Sequence, residues 1–329
     1  MANISESTPL TVRLLTESEL ATRDPRRLAV IRFGQENLLD PARPTELTLA
    51  LPPLAADTPV EVWEANEPVA AGCDHDVGYA HTRDALFGWI LVDEARFDHD
   101  MDQAAEYAYD RVLAFHRAMG FPCLLRIWNY FPHLHDEVDG LDRYQAFCLG
   151  RHRALERVPL TEGELPAATA IGTTAAGLVV YFLAGREPGI QIENPRQVSA
   201  FHYPRRYGPK SPSFSRATLK PWPGNPHLYI SGTASIVGHE TLHTDVITQL
   251  DEILENLRAL IGSAGDPMAA LNGDPGALSL LKVYVRHAQD VDAVRARLQA
   301  ALGPKAPAVY LRGDICRDDL LVEIEGLHA

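Results

Sequence analysis

Residues 124–128 read Leu-Leu-Arg-Ile-Trp, and residues 280–284 repeat the pattern as Leu-Leu-Lys-Val-Tyr. Each stretch follows a helical pattern, and each helical pattern follows an apolar stretch typical of a buried strand, at 85–92 and 228–234. The same strand–helix–strand order therefore occurs twice. Any α+β protein can show such recurrences, but the matching order favours duplication of one α+β unit.

The two helical patterns have similar spacing and similar ends. In residues 101–119, apolar side chains recur mostly three and four positions apart, and the pattern ends at Gly120. Residues 245–261 repeat this spacing and stop before Gly262. We therefore predict amphipathic helices at these matching positions in the two halves of the chain.

The chain has 329 residues, a length that allows two domains. A segment at 155–166 contains Pro159, Gly163 and Pro166, which are typical of a connection between domains. We predict a boundary there, which divides the chain into residues 1–160 and 161–329.

Composition limits the possible partners. Hydrophobic residues make up 46% of the chain, and no apolar run approaches the roughly 20 residues that span a bilayer. The formal net charge of −14 argues against nucleic acid or an anionic membrane as a partner of the whole surface. The start of the chain lacks the pattern of a signal peptide, and the four cysteines are scattered, so we expect a cytoplasmic protein with reduced thiols.

Residues 193–216 contrast with this acidic background. The segment contains four prolines, four arginines and one lysine, and Glu193 is its one acidic residue. Spaced prolines exclude a helix, and arginine forks match carboxylate or phosphate groups. An ordered loop that binds a small anion explains this composition, although a proline-rich surface connection with incidental charges is the alternative.

His239-Glu-Thr-Leu-His243 matches the H-E-x-x-H string of zinc peptidases. In a helix, the two histidines would share one face and bind zinc. Here the helical pattern starts only near Asp245, so the histidines are not expected to share a helical face. We predict no metal site, and a zinc peptidase is the less favoured alternative.

Glu323 and Glu325 alternate within an apolar stretch near the end of the chain. In a half-buried strand both side chains face the same way. Burial disfavours the charged carboxylate and raises its pKa, which would make a general acid near neutral pH. The alternative is a solvent-facing pair on an edge strand. Cys316, just upstream, fits either an inert buried thiol or the wall of a site.

Eight sequence blocks, which begin near residue 126 and run to the end of the chain, resemble the chorismatases. The blocks are Arg126–Pro132, Arg143–Arg151, Pro166–Gly172, Glu193–Ala200, Tyr203–Pro209, Phe214–Ala217, Ser231–His239 and Cys316–Gly326. The resemblance implies an α+β fold of two RidA/YjgF-like (chorismate-mutase-like) units, with mixed sheets and helices packed on one face. It also implies an enzyme that acts on chorismate without a cofactor.

The resemblance also implies the site residues. The catalytic acid of the family is a glutamate on its last strand, which corresponds to Glu323, and Cys316 and Ala234 are the other predicted catalytic positions. The predicted substrate-binding residues are Arg143, Tyr144, Arg151, Arg196, Tyr203, Tyr207, Ser215, Arg216 and Thr233.

The product follows less directly from the resemblance. Chorismatases that form 3-hydroxybenzoate resemble this chain in having a cysteine at the position of Cys316. The alanine at position 234 instead resembles the chorismatases that hydrolyse chorismate to a dihydroxycyclohexadiene carboxylate. We predict pyruvate and 3-hydroxybenzoate, with 4-hydroxybenzoate as a second product. Chorismate hydrolysis and a non-catalytic RidA-like binder of small carboxylates are the alternatives. RidA-like units commonly form trimers, but a duplicated chain can satisfy part of that packing internally, so the protein is predicted to be a monomer or a trimer.

Overall fold

The computed structural model describes residues 8–20 and 24–329. The described residues form three larger β-sheets, two short two-stranded sheets and four α-helices. No helix among them has both the length and the apolar character needed to cross a membrane.

The N-terminal sheet has five strands in the order β1-β5-β2-β4-β3. Its strands are β1 (Leu10–Leu15), β2 (Arg27–Phe33), β3 (Leu38–Leu39), β4 (Glu46–Leu49) and β5 (Val60–Ala65). The sequence predicted the first RidA-like unit to begin at residue 1. This separate sheet precedes that unit instead.

The first repeated unit is a six-stranded sheet in the order β12-β9-β13-β8-β7-β6, with two helices. Its elements are β6 (Ala70–Asp74), β7 (Val77–His81), β8 (Ala85–Val92), α1 (Met101–Ala118), β9 (Cys123–Pro132), β10 (Glu137–Val138), β11 (Leu141–Asp142), α2 (Arg143–Glu156), β12 (Ala167–Thr173) and β13 (Leu178–Gly185). β10 and β11 form a small hairpin outside the sheet.

The second unit is a six-stranded sheet in the order β14-β15-β16-β21-β19-β20. Its elements are β14 (Ile190–Ile192), β15 (Ala217–Lys220), β16 (His227–Thr233), β17 (Ile236–Val237), β18 (Glu240–Thr241), α3 (Val246–Ser263), β19 (Leu280–Val285), α4 (Val291–Leu302), β20 (Ala308–Arg312) and β21 (Val322–His328). β17 and β18 pair with each other outside the sheet.

The two units have the same topology. In each, one edge strand pairs in parallel with its neighbour (β12 with β9, β20 with β19), and the other pairs are antiparallel. The predicted α+β fold of two like units with mixed sheets is therefore confirmed. The boundary differs from the predicted one. Because 167–185 supplies two strands of the first sheet, we place the junction between Gly185 and Ile190 rather than at 160/161.

Aspartates cap the two predicted helices. The Asp100 carboxylate accepts hydrogen bonds from the first backbone N–H groups of α1, and Asp245 does the same for α3. Such caps satisfy N–H groups that have no partner within the helix. The helix boundaries lie within a few residues of the predicted ones.

Strand alternation divides the core into layers. Leu281 and Val283 of β19 pack towards α3 and α4, whereas Lys282 and Tyr284 point to the other face of the sheet. There the two six-stranded sheets and the N-terminal sheet share one apolar core. The helices of each unit therefore lie on one face, as predicted, and the helix-free faces meet inside the protein.

Candidate active site

A cleft of about 730 Å³ lies between the two units. The first unit contributes side chains from α2 and β12. The second contributes the 203–216 loop, the end of β16, the 316–319 segment and β21. A cleft between two units, lined by convergent charged and aromatic groups, is where a small-molecule site is expected.

Glu323 lies on β21 and points into this cleft. Its side chain is almost completely buried, with 5% exposure. Burial raises the pKa of the Glu323 carboxyl to about 8, and the neighbouring carboxylate of Glu325 adds to the rise, against the effect of nearby arginines. At neutral pH this carboxyl therefore carries a proton that it can donate.

Glu325 has the opposite environment. Its carboxylate accepts hydrogen bonds from Arg126 Nη2 and Trp128 Nε1, each at 2.8 Å, and lies 3.1 Å from Lys282 Nζ. Burial alone would raise its pKa, but Lys282 and Arg126 outweigh burial and lower it. Of the two glutamates, Glu325 is the ionised one and Glu323 holds the proton.

Gly232 lets the Glu323 carboxyl reach its position. A Cβ atom on residue 232 would lie 1.9 Å from Glu323 Oε1. The Gly232 N–H donates a hydrogen bond of 3.0 Å to Thr169 Oγ1 in the first unit. Sequence reasoning missed both residues, although Gly232 lies next to the predicted Thr233.

Three arginines bring unused donors to the cleft. Arg151 Nε, Arg216 Nε and Arg317 Nη2 are buried nitrogens of cleft-lining residues, and none has a hydrogen-bond partner among residues 8–20 and 24–329. A buried guanidinium donor without a partner is costly, so these groups favour an anionic ligand. Arg317 was not predicted as a site residue, although it directly follows Cys316.

Arg216 and Arg317 also contact tyrosines of the 203–216 loop. Arg216 Nη2 donates to Tyr203 Oη at 2.7 Å and to the Val198 carbonyl at 2.8 Å. The Arg317 guanidinium lies 4.1 Å from the centroid of the Tyr207 ring. Each arginine is thus fixed against an aromatic side chain of the loop, with at least one donor left free.

Tyr144 and Cys316 complete the wall near Glu323. Burial raises the pKa of Tyr144 well above its ordinary value. Burial, followed by the charge of Glu323, raises the pKa of Cys316 to about 12. Both groups are neutral at pH 7: the tyrosine can donate a hydrogen bond, and the thiol is not a nucleophilic thiolate.

Seven other predicted residues also line the cleft: Ala234, Tyr144, Arg151, Tyr203, Tyr207, Arg216 and Cys316. Together with Glu323 they come from both units. Their positions are far apart in the sequence, and the packing of the two sheets brings them together.

Four predicted substrate-binding residues lie elsewhere. Arg143 pairs with the buried Glu94 at 2.5 Å, and Arg196 pairs with Glu252 at 2.6 Å. The Ser215 hydroxyl donates to the Ala217 carbonyl, and the Thr233 hydroxyl donates to the Ser231 carbonyl. Thr233 points away because alternate residues of a strand face opposite sides, and Gly232 and Ala234 take the cleft side.

The H-E-x-x-H string is not helical. Glu240 and Thr241 form β18, whereas α3 begins at Val246. His239 Nδ1 lies 2.9 Å from Arg206 Nη2, and His243 Nε2 lies 3.3 Å from Glu252 Oε2. Within residues 8–20 and 24–329, no group of three or more His, Cys, Asp or Glu side chains is arranged to hold a metal ion.

The family model of the chorismatase FkbO/Hyg5-like N-terminal domain matches residues 61–184. A chorismatase from Streptomyces hygroscopicus is 40% identical over 277 residues, which cover 82% of this chain and 79% of that protein. The chain belongs to the chorismatase family. A 3-hydroxybenzoate synthase from the same species is 37% identical over 292 residues, covering 86% of this chorismatase and 85% of that protein.

The fold of this chorismatase also matches a solved chorismatase structure. The match has a TM-score of 0.85 and 34% sequence identity, and it covers 98% of this chain and 99% of that one. The resemblance stated from the sequence blocks is thus confirmed, and it extends over the N-terminal third, where the sequence carried little of it.

Proposed function

We propose that this chorismatase converts chorismate to pyruvate and 3-hydroxybenzoate, with Glu323 as the proton donor. The observation that carries the proposal is a neutral, buried carboxyl in the same cleft as three arginines with unpaired donors. Chorismate has two carboxylates and an enolpyruvyl ether. The arginines match its two anionic groups, and Glu323 matches the need for an acid.

The proposed chemistry begins with protonation of the enolpyruvyl methylene carbon. Glu323 gives up its proton, and an oxocarbenium ion forms on the ether carbon. An acid with a pKa of about 8 is mostly protonated at neutral pH and still acidic enough to donate. No step requires a metal or a redox cofactor.

The product depends on which bonds break after the oxocarbenium ion has formed. For 3-hydroxybenzoate, one water adds to the oxocarbenium carbon, the hemiketal breaks its bond to the ring 3-oxygen to release pyruvate, and the ring then loses its 4-hydroxyl as water, so no net water is consumed. Elimination of pyruvate together with the ether oxygen leaves 4-hydroxybenzoate instead. The relative named 3-hydroxybenzoate synthase and the cysteine at position 316 support the first product as the main one. We include 4-hydroxybenzoate as a minor product, since both routes share the protonation step.

We infer a monomer, because residues from both units of one chain line the cleft. We also infer a cytoplasmic location, because all four cysteines are free, as expected for a reducing compartment.

The test is a coupled assay of pyruvate release from chorismate, with chromatography of the aromatic product. We expect equal amounts of pyruvate and aromatic acid, with 3-hydroxybenzoate in excess. Chorismate binding by calorimetry without pyruvate release would contradict the proposal and favour a non-catalytic carboxylate binder. Pyruvate with a dihydroxycyclohexadiene carboxylate would instead favour hydrolysis.

A further inference from the structure

Four charged side chains form a buried cluster behind Glu323. Glu61, Arg126, Lys282 and Glu325 have exposures of 0%, 1%, 1% and 4%. They come from the N-terminal sheet, the first unit and the second unit, and they meet where the three sheets share their core. The charges of the cluster, two positive and two negative, balance within the protein.

The contacts connect the four groups in a chain. Glu61 Oε2 lies 2.7 Å from Lys282 Nζ, and the same Nζ lies 3.1 Å from Glu325 Oε1. Arg126 Nη2 lies 2.8 Å from Glu325 Oε2. Apolar side chains of similar volume often stabilise a fold as well as a buried ion cluster does, so a structural role alone accounts poorly for four desolvated charges.

The charged cluster lies close to Glu323, the proposed proton donor. Glu325 and Glu323 are alternate residues of β21 and point to the same side of the sheet. Thr169 Oγ1 accepts from Arg126 Nη2 and from the N–H of Gly232, the residue over which Glu323 lies. The charged or titratable groups that act on Glu323 are Glu325, Arg126, Arg216, Cys316 and Tyr144.

We propose that Glu325 is a positioning residue for the chorismatase reaction. Its fixed carboxylate, held by Arg126 and Lys282, keeps the neighbouring Glu323 protonated and ready to donate. This inference rests on the proposed function of Glu323. Glu61 supports the arrangement, because it shares the charge of Lys282 and leaves Glu325 its negative potential towards Glu323.

The size of the effect follows from the geometry of a strand. Alternate residues are about 6.5 Å apart, and two like charges at that distance shift a pKa by more than one unit at an effective dielectric constant of about 20. Glu325→Gln removes this repulsion and leaves Arg126 and Lys282 less neutralised. Both changes favour ionised Glu323, so its pKa should fall.

The main experiment is the pH profile of kcat/KM for wild type and E325Q. The basic limb should lie near pH 8 in the wild type and at least about one unit lower in E325Q. At pH 9 the protonated fraction then falls about tenfold. E61Q should shift the limb in the same direction by less. E255Q removes a charge from an exposed glutamate of α3 that pairs with Arg258, and it should leave the limb in place.

A second readout does not depend on turnover. With glutamate labelled by ¹³C at the side-chain carboxyl, the resonance absent from E323Q is that of Glu323. It should titrate near pH 8 in the wild type and lower in E325Q. A wild type without pyruvate release would therefore contradict the proposed function, while the titration would still test the role of Glu325.

A further variant covers the case in which E325Q does not fold. K282M/E325Q removes one charge of each sign and leaves Arg126 and Glu61, so the buried charge stays balanced. Its Glu323 titration should also move down. An unchanged or raised basic limb and an unchanged Glu323 resonance, in a variant with the wild-type circular dichroism spectrum, would overturn the proposal.

Discussion

Gly232 and Glu323 are in such close contact that no side chain fits between them. A Cβ atom on residue 232 would lie 1.9 Å from Oε1 of Glu323, far inside van der Waals contact. The Glu323 carboxyl can therefore occupy this position because β16 has a glycine opposite β21.

Gly232→Ala should displace the Glu323 carboxyl from the cleft. We expect pyruvate release to fall about 100-fold, as for other small displacements of a reacting group, and unfolding to become easier by about 1–3 kcal/mol. Gly262→Ala is the matched control, because no heavy atom of the described residues lies within 4 Å of its added Cβ. Turnover and thermal denaturation of both variants provide the measurements. Wild-type turnover in G232A would contradict the close contact.

Glu323→Gln should remove the acid and keep the shape of the site. General acid catalysis contributes about 10²- to 10⁴-fold, so kcat should fall by that range. The dissociation constant for chorismate, measured by calorimetry, should change little, because the arginines are intact. If E323Q turned over at the wild-type rate, the proton would have to come from another group.

The same substitution should change how stability depends on pH. The folded-state pKa of Glu323 is about 8, above the ordinary glutamate value of 4.5, so the native state binds the proton more tightly than the unfolded state. Its contribution to stability is full below about pH 4.5 and is lost as the pH rises to about 8.

E323Q lacks this loss, so its stability relative to the wild type should rise between about pH 4.5 and pH 8, by a few kcal/mol. Urea denaturation of both proteins at pH 5, 6.5 and 8 measures the difference. A constant difference across these values would show that Glu323 does not titrate in this range.

Arg317→Met should weaken chorismate binding. Loss of a charge-assisted hydrogen bond costs about 1.5–3 kcal/mol, which corresponds to a KM increase of roughly 10- to 150-fold. Arg196→Met is the matched control from the proline-rich loop, because Arg196 pairs with Glu252 outside the cleft. Its KM should stay near the wild-type value. A larger rise in KM for R196M than for R317M would reverse these assignments.

Local patterns carried much of the information in this sequence. The repeat of Leu124–Trp128 at Leu280–Tyr284 predicts the duplicated unit, because a strand and an amphipathic helix each have a period that is visible in the chain. The join was misplaced for a related reason. Ala167–Thr173 and Leu178–Gly185 complete the first sheet by pairing with distant strands, and nothing local shows which sheet a strand will join.

The sequence by itself determined that Glu323 and Glu325 would point to the same face of a strand, since alternation requires it, but it left open whether that face is buried. Only the tertiary structure decided which of them holds the proton. Arg126, the ion-pair partner of Glu325, lies 199 positions away in the chain, and Lys282 comes from a neighbouring strand. The charge state of a buried carboxyl depends on the charges around it, and folding brought two cations to Glu325 and left Glu323 facing the cleft.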